Sequence, residues 1–90
     1  MPIISAFHGV VIRMFYKEHE PAHFHAEHGG QNAKVDFAGN ITAGEIRSRK
    51  ACERIRRWAE LHREQLEANW VRMKAGRSLE RIAPLSEGKE

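Results

Sequence analysis

The sequence contains a single cysteine, Cys52, and no long apolar run. One cysteine excludes an internal disulfide, and this usage is typical of the reducing cytoplasm. Cys52 falls within a helical pattern, where we expect a small buried side chain rather than a nucleophile. No apolar run approaches the roughly 18–20 residues of a membrane span, and the start lacks the pattern of a signal peptide. We therefore predict a cytoplasmic protein with no membrane partner.

The chain is short, with 90 residues, of which 41% are hydrophobic and 30% charged. Because domains typically hold about 100–150 residues, we predict a single α+β domain over residues 1–85 with a modest core. Residues 86–90 are polar or charged apart from one glycine, and they are predicted to form a flexible tail.

The first half of the sequence has the period-two alternation of β-strands. Pro21 interrupts this pattern with a turn, and Gly29-Gly30 permits a tight hairpin. The pattern predicts an antiparallel meander of three or four strands. The predicted strands are residues 8–16, 22–28, 31–37 and, as a short fourth, 41–42.

The second half changes to a helical period. From Ser48 to about Met73 there is no glycine or proline, and apolar residues recur every three or four positions. A straight helix of about 26 residues would be about 39 Å long, which exceeds the width of so small a domain. We therefore expect a long C-terminal amphipathic helix that either bends near His62 or projects and pairs with a second copy in a homodimer. A later segment with Leu79, Ile82 and Leu85 is predicted to fold back on the core.

Alternation along the strands assigns their side chains to two faces. The apolar face is predicted to lie under the helix. It consists of Val10, Ile12, Met14, Phe24, Val35 and Phe37. The opposite face is predicted to carry Arg13, His23, His25, Glu27, Lys34 and Asp36.

The segment His19–His23 matches the zinc-protease pattern H-E-x-x-H. That motif requires two histidines on one face of a helix. Pro21 would lie inside such a helix, and Gly29-Gly30 would end it too soon. We therefore interpret the match as accidental.

His23 and His25 are the better candidates for a functional site, because residues i and i+2 of a strand point the same way. Together with Glu27 they form a set of two histidines and a carboxylate, which suits a divalent transition metal such as zinc or iron. Further ligands would come from His19, His28 or His62. The alternative is that these histidines only form hydrogen bonds or lie on the wet surface.

The same histidines also suit chemistry without a cofactor. His23 or His25 can serve as general acid or base, and Arg13 or Lys34 can bind a phosphate. This set of catalytic candidates is typical of a metal-independent ribonuclease. His62 lies on the apolar stripe of the helix, where a core role is expected.

Basic residues are concentrated at the start of the predicted helix, where Glu53 is the only acidic residue among them. Such a cluster favours RNA or DNA binding, and the alternative is a solvated helix face. The cluster consists of Arg47, Arg49, Lys50, Arg54, Arg56 and Arg57.

Three motifs resemble a known family: Pro2-Ile-Ile-Ser-x-Phe followed by Gly-Val-Val-Ile-Arg-Met, His19-x-Pro-x-His-Phe-His-Ala, and Trp58-Ala-x-Leu-His-Arg-Glu with Asn69-Trp70. Together they are similar to the small bacterial proteins called domain of unknown function 4160. The resemblance implies a small protein partner encoded nearby, in an arrangement similar to toxin–antitoxin pairs. The motif residues here are Arg13, His19, Pro21, His23, Phe24, His25, His62, Asn69 and Trp70.

Three hypotheses follow for the function. The first is a toxin–antitoxin-like module that binds or cleaves RNA through the polar sheet face. The second is a non-enzymatic interaction or regulatory module that uses the long helix and an exposed Trp58 or Trp70. The third is a metal-binding protein that uses the histidines.

Overall fold

The computed structural model describes residues 3–86. Residues 87–90 of the predicted tail lie outside the described residues. One antiparallel sheet has its strands in chain order, β1-β2-β3-β4-β5. The elements are β1 (Ile3–Phe7), β2 (Val10–Arg13), β3 (His23–His28), β4 (Gln31–Asp36), β5 (Ile41–Gly44), α1 (Arg49–Leu61) and α2 (Arg63–Lys74).

The α+β class is confirmed, but the prediction of three or four strands is wrong, because the described residues form five. The error lies in the segment 8–16, which was predicted to be one strand. His8 and Gly9 instead form a tight turn, with φ of 48° and 77°. Two successive residues with positive φ match the twist of a hairpin, so the residues before the turn pair with β2 as an additional strand.

The prediction of a single long helix is also wrong. The helix is interrupted at His62, whose φ of −118° and ψ of 28° are not helical. This is the position at which the bent alternative placed the bend. The break lets α2 take its own direction, and both helices then bury residues in the core, including Trp58 and Trp70. No helix within residues 3–86 is both long enough and apolar enough to span a membrane.

The helices cover one face of the sheet, and the predicted apolar face is confirmed, since all six of its residues are buried. Phe24 lies at its centre, with ring centroids 5.5 Å from Trp58 and 6.3 Å from Phe37. Trp58 is 0% and Trp70 7% exposed, so the expectation of an exposed tryptophan is wrong. Cys52 is partly buried against this core, as expected for a small apolar side chain.

The segment after α2 folds back on the core, as predicted, with Ile82 and Leu85 buried. The backbone N–H of Ile82 donates to the carbonyl of Ile4 at 2.7 Å. Asn69 is fully buried, and its side chain binds both the carbonyl and the N–H of Glu80, at 2.8 and 3.0 Å. Asn69 therefore fastens the C-terminal segment to α2.

We expect Asn69→Ala to lower the free energy of unfolding by about 2 kcal/mol, because two backbone groups of Glu80 lose their partner and a buried volume is emptied. Urea denaturation measures this change. The control is Asn32→Ala at an exposed position of β4, for which we expect less than about 0.5 kcal/mol. Equal losses in the two variants would contradict the role given to Asn69.

Candidate metal centre

The face of the sheet away from the helices carries the predicted polar residues. Strand pairing places Arg13, His25 and Lys34 in one row across β2, β3 and β4. His23 is opposite Asp36 in a second row. Directly paired side chains have Cβ atoms about 4.5–5.5 Å apart, so His25 is flanked by two cationic side chains. Glu27 lies in a third row on this face, two residues beyond His25 on β3.

The loop between β2 and β3 brings a carboxylate to these histidines. Glu18 Oε1 lies 3.1 Å from His25 Nε2 and also within hydrogen-bonding distance of His23 Nε2. One possible ligand atom from each of the three residues lies within 4.8 Å of the other two. The three donors therefore converge on one point.

Helix α2 holds this loop against the sheet. The indole N–H of Trp70 donates to Glu20 Oε2 at 3.0 Å, and Lys74 Nζ donates to the carbonyl of Glu18 at 3.2 Å. The Trp70 ring also packs against His23, with centroids 5.5 Å apart. The position of the Glu18 carboxylate thus depends on a helix that is remote in sequence.

A hydrogen bond of Nδ1, the ring nitrogen that does not face Glu18, orients the side chain of His23. Its Nδ1 lies 2.9 Å from the carbonyl oxygen of Pro21. Because a carbonyl only accepts hydrogen bonds, Nδ1 must carry a proton and donate. Nε2 is therefore directed at Glu18, and the side chain is held in place because it is only 7% exposed.

The surroundings of Glu18 shift the pKa of its carboxyl group. Burial raises the pKa of Glu18, but hydrogen bonds from His25 and His23 and the charges of the two imidazoles outweigh it. The pKa of Glu18 is consequently lower than usual. The group is a carboxylate at neutral pH, which is the form that coordinates metal ions.

Two hollows flank the cluster. One, of about 400 Å³, is lined in part by Glu18, His23, Lys34 and Asp36. The other, of about 390 Å³, is lined by Arg13, Phe15, His25, Glu27 and Asn32. Each hollow thus adjoins one of the two histidines, and each contains a cationic side chain.

The structure places the other predicted ligands apart from this point. Glu27 forms an ion pair with Arg13 at 3.2 Å, so Glu18 occupies the position expected of Glu27. His28 lies opposite Val10 of the apolar face. His62 is at the helix break, with Nδ1 2.6 Å from Gln65 Oε1.

The residues of the zinc-protease pattern, His19–His23, do not form a helix. His19 is exposed in the loop, and Glu20 is bonded to Trp70 rather than directed at the cluster. The Glu20–Pro21 peptide bond is cis. The segment therefore lacks the helix that this pattern requires.

Most of the basic cluster lies on α1, which packs on the apolar face of the sheet through Ala51, Ile55, Trp58 and Ala59. Its cationic side chains point away from that core and hence away from the polar face. The histidines and the α1 cations therefore belong to opposite sides of the molecule.

Sequence reasoning did not find Glu18. The residue lies in a turn with no periodicity, and three other acidic residues, Glu20, Glu27 and Asp36, are equally near the histidines in sequence or in strand pairing. Only the path of the loop between β2 and β3 brings Glu18, rather than one of these three residues, to the histidines. A charged residue shortly before His-x-His was the available signal.

The chain matches the model of a known family. The model of the family described as Domain of unknown function (DUF4160) matches residues 9–71, which is more than half of the chain. The chain belongs to this family. No curated protein and no solved structure shows significant similarity to it.

We expect the metal-free protein to carry a proton on His23 Nδ1, because the Pro21 carbonyl can only accept. Long-range ¹H–¹⁵N correlation spectra of histidine-labelled protein distinguish protonated from unprotonated ring nitrogens. His28, on the same strand, provides an internal comparison. An unprotonated Nδ1 on His23 would contradict the orientation of the cluster.

Proposed function

We propose that this member of the DUF4160 family is a metal-binding protein in which Glu18, His23 and His25 hold one divalent transition-metal ion. The observation that carries the proposal is the convergence of two imidazole nitrogens and one carboxylate oxygen within 4.8 Å. Two ligand atoms each about 2.1 Å from a tetrahedral ion are about 3.4 Å apart. The 3.1 Å separation of His25 Nε2 and Glu18 Oε1 is near that value, whereas His23 Nε2 and Glu18 Oε1 are closer and would move apart to admit an ion.

The contacts around the donors also suit a metal ligand. A metal-bound histidine usually donates its other N–H to a carbonyl or carboxylate, which fixes the ring and its tautomer. His23 has this arrangement through Pro21. The ionised state of Glu18 supplies the negative charge that a divalent cation requires.

The number of ligands suggests an ion that is open to exogenous molecules. Catalytic zinc sites typically have three protein ligands and keep a position for water or substrate, and two histidines with one carboxylate also serve iron(II). Two imidazoles and one carboxylate suit both ions, and we take zinc, which has no redox chemistry of its own, as the ion for the tests below. When bound, it would act as a Lewis acid.

The surroundings favour an anionic molecule at the open position. Lys34 is next to His25 across the β3–β4 pair and lines the hollow beside His23. Arg13 is on the other side of His25, where Glu27 offsets its charge. Lys34 is therefore the residue best placed to bind a small anion near the ion.

Metal-independent RNA cleavage by His23, His25 and Arg13 is the less favoured candidate. His23 is nearly inaccessible, and both its ring nitrogens already have partners. Arg13 is paired with Glu27. A general acid or base must reach the substrate, and of the two histidines only His25 keeps a ring nitrogen, Nδ1, without a partner among the described residues.

The exposed apolar side chains of the two helices favour binding to a second protein chain. Leu61 is 65% and Val71 66% exposed on the two helices, and such side chains provide apolar contact area. A small partner protein or a homodimer would cover them.

We expect the protein, produced without a histidine tag, to bind about one Zn²⁺ per chain. Glu18→Gln or His25→Gln should weaken binding by more than about 100-fold, since loss of outer-shell contacts alone costs about 10- to 100-fold. Isothermal titration and elemental analysis after dialysis measure affinity and stoichiometry.

The matched control for these variants is His28→Gln, which removes an imidazole from the same strand on the other side of the sheet. It should leave the affinity unchanged. Absence of retained metal in the wild type, or equal losses in His28→Gln and His25→Gln, would contradict the proposal.

We expect inorganic phosphate to alter the visible absorption of the Co²⁺-loaded protein. Lys34→Gln should raise the phosphate concentration required by about tenfold, which corresponds to one charge-assisted contact of about 1.4 kcal/mol. The control is Arg81→Gln, an exposed position beside β1 and outside both hollows. Equal shifts in the two variants would contradict the role of Lys34.

A further inference from the structure

We propose that the exposed face of α1 binds the phosphodiester backbone of nucleic acid, through a cationic stripe formed by Lys50, Arg54 and Arg57. The three residues are spaced i, i+4 and i+7, so they lie on the same side of the helix. Together with Glu53 they line a shallow hollow of about 260 Å³. This binding site is separate from the proposed metal centre.

The charges of the stripe are available to a ligand. Within residues 3–86, no carboxylate forms an ion pair with Lys50, Arg54 or Arg57, although Glu53 is close in sequence. Two neighbouring cations differ, because Arg47 is paired with Glu45 at 3.6 Å and Arg56 donates to Asn40 at 3.2 Å. The members of the basic cluster without a partner among the described residues are thus the stripe and Arg49.

The amino end of α1 adds to the repulsion among these cations. The first turn of α1 contains no acidic residue and carries Arg49 and Lys50. Cations are unfavourable there because the amino end of a helix is its positive end. A polyanion bound along the stripe would relieve this repulsion.

The chemistry of the surface favours nucleic acid over an acidic protein. Stable protein interfaces depend on apolar and aromatic anchors that the partner can bury, and no exposed large apolar side chain lies among residues 45–57. The exposed large apolar side chains of the described residues are Ile3, Tyr16, Ile41, Leu61 and Val71. Two of the three stripe residues are arginines, whose planar guanidinium groups match phosphate oxygens in pairs.

The stripe is long enough for several phosphates. Seven residues of helix separate Lys50 from Arg57, which corresponds to about 10.5 Å. Phosphates of one strand are spaced about 3.4 Å along the axis of a duplex, so about three contacts fit. Such contacts carry no base recognition, and we expect binding to be independent of sequence.

The test measures the salt dependence of binding by fluorescence anisotropy. Probes are a labelled 20-nucleotide RNA of mixed sequence and a 20-base-pair DNA duplex, between 50 and 200 mM salt. Three phosphate contacts contribute a slope of about −2.1 for the single strand and −2.7 for the duplex in log K against log[salt]. The triple variant K50Q/R54Q/R57Q should lose this contribution, and R57Q alone should lose about one third of it.

The matched control is R63Q/R77Q/R81Q, which removes the same charge from other exposed positions. It should keep the wild-type slope. Circular dichroism and Zn²⁺ affinity, measured on every variant, should be unchanged, which separates this proposal from that of the metal centre. If R57Q and the triple variant keep the wild-type slope, or if the control loses as much, the proposal is overturned. Competition by polyglutamate equal to that by RNA would also overturn it, in favour of an acidic protein partner.

Discussion

The burial of Phe24 is the constraint on which the rest of the structure depends. Phe24 packs between Trp58 and Phe37 under the helices. Because successive strand residues point to opposite faces, this contact directs His25 to the polar face, with His23 beginning the strand on the same side. A shift of β3 by one residue would place the imidazoles in the core and the aromatic ring in water. Core packing thus determines where the chemistry of this strand lies.

The second element of the site is the loop that covers His23. Its position depends on α2, whose Trp70 holds Glu20 and packs on the His23 ring. Trp70 lies in the helix that follows the break at His62, so its position depends on the backbone of that residue. The non-helical backbone of one residue in the middle of the helical region therefore has a direct effect on the position of the Glu18 carboxylate.

The sequence predicted those parts of the fold that follow from periodicity. Alternation identified β3, β4 and the two faces of the sheet, including the row that contains Arg13, His25 and Lys34. Features that do not follow a regular period in the sequence were not predicted. The turn at His8–Gly9 begins the segment that was predicted to be one strand, and Glu18 reaches the histidines only through the path of a loop. Such long-range geometry results from packing, which local pattern does not encode.

Glu18, His23 and His25 are proposed to share one ion. Anomalous X-ray diffraction at the zinc absorption edge, from crystals of the Zn²⁺-loaded protein, locates such an ion directly. We expect one anomalous peak about 2.0–2.2 Å from His23 Nε2, His25 Nε2 and a Glu18 oxygen. A peak at other residues, or none between these three side chains in crystals that contain zinc, would contradict the proposal.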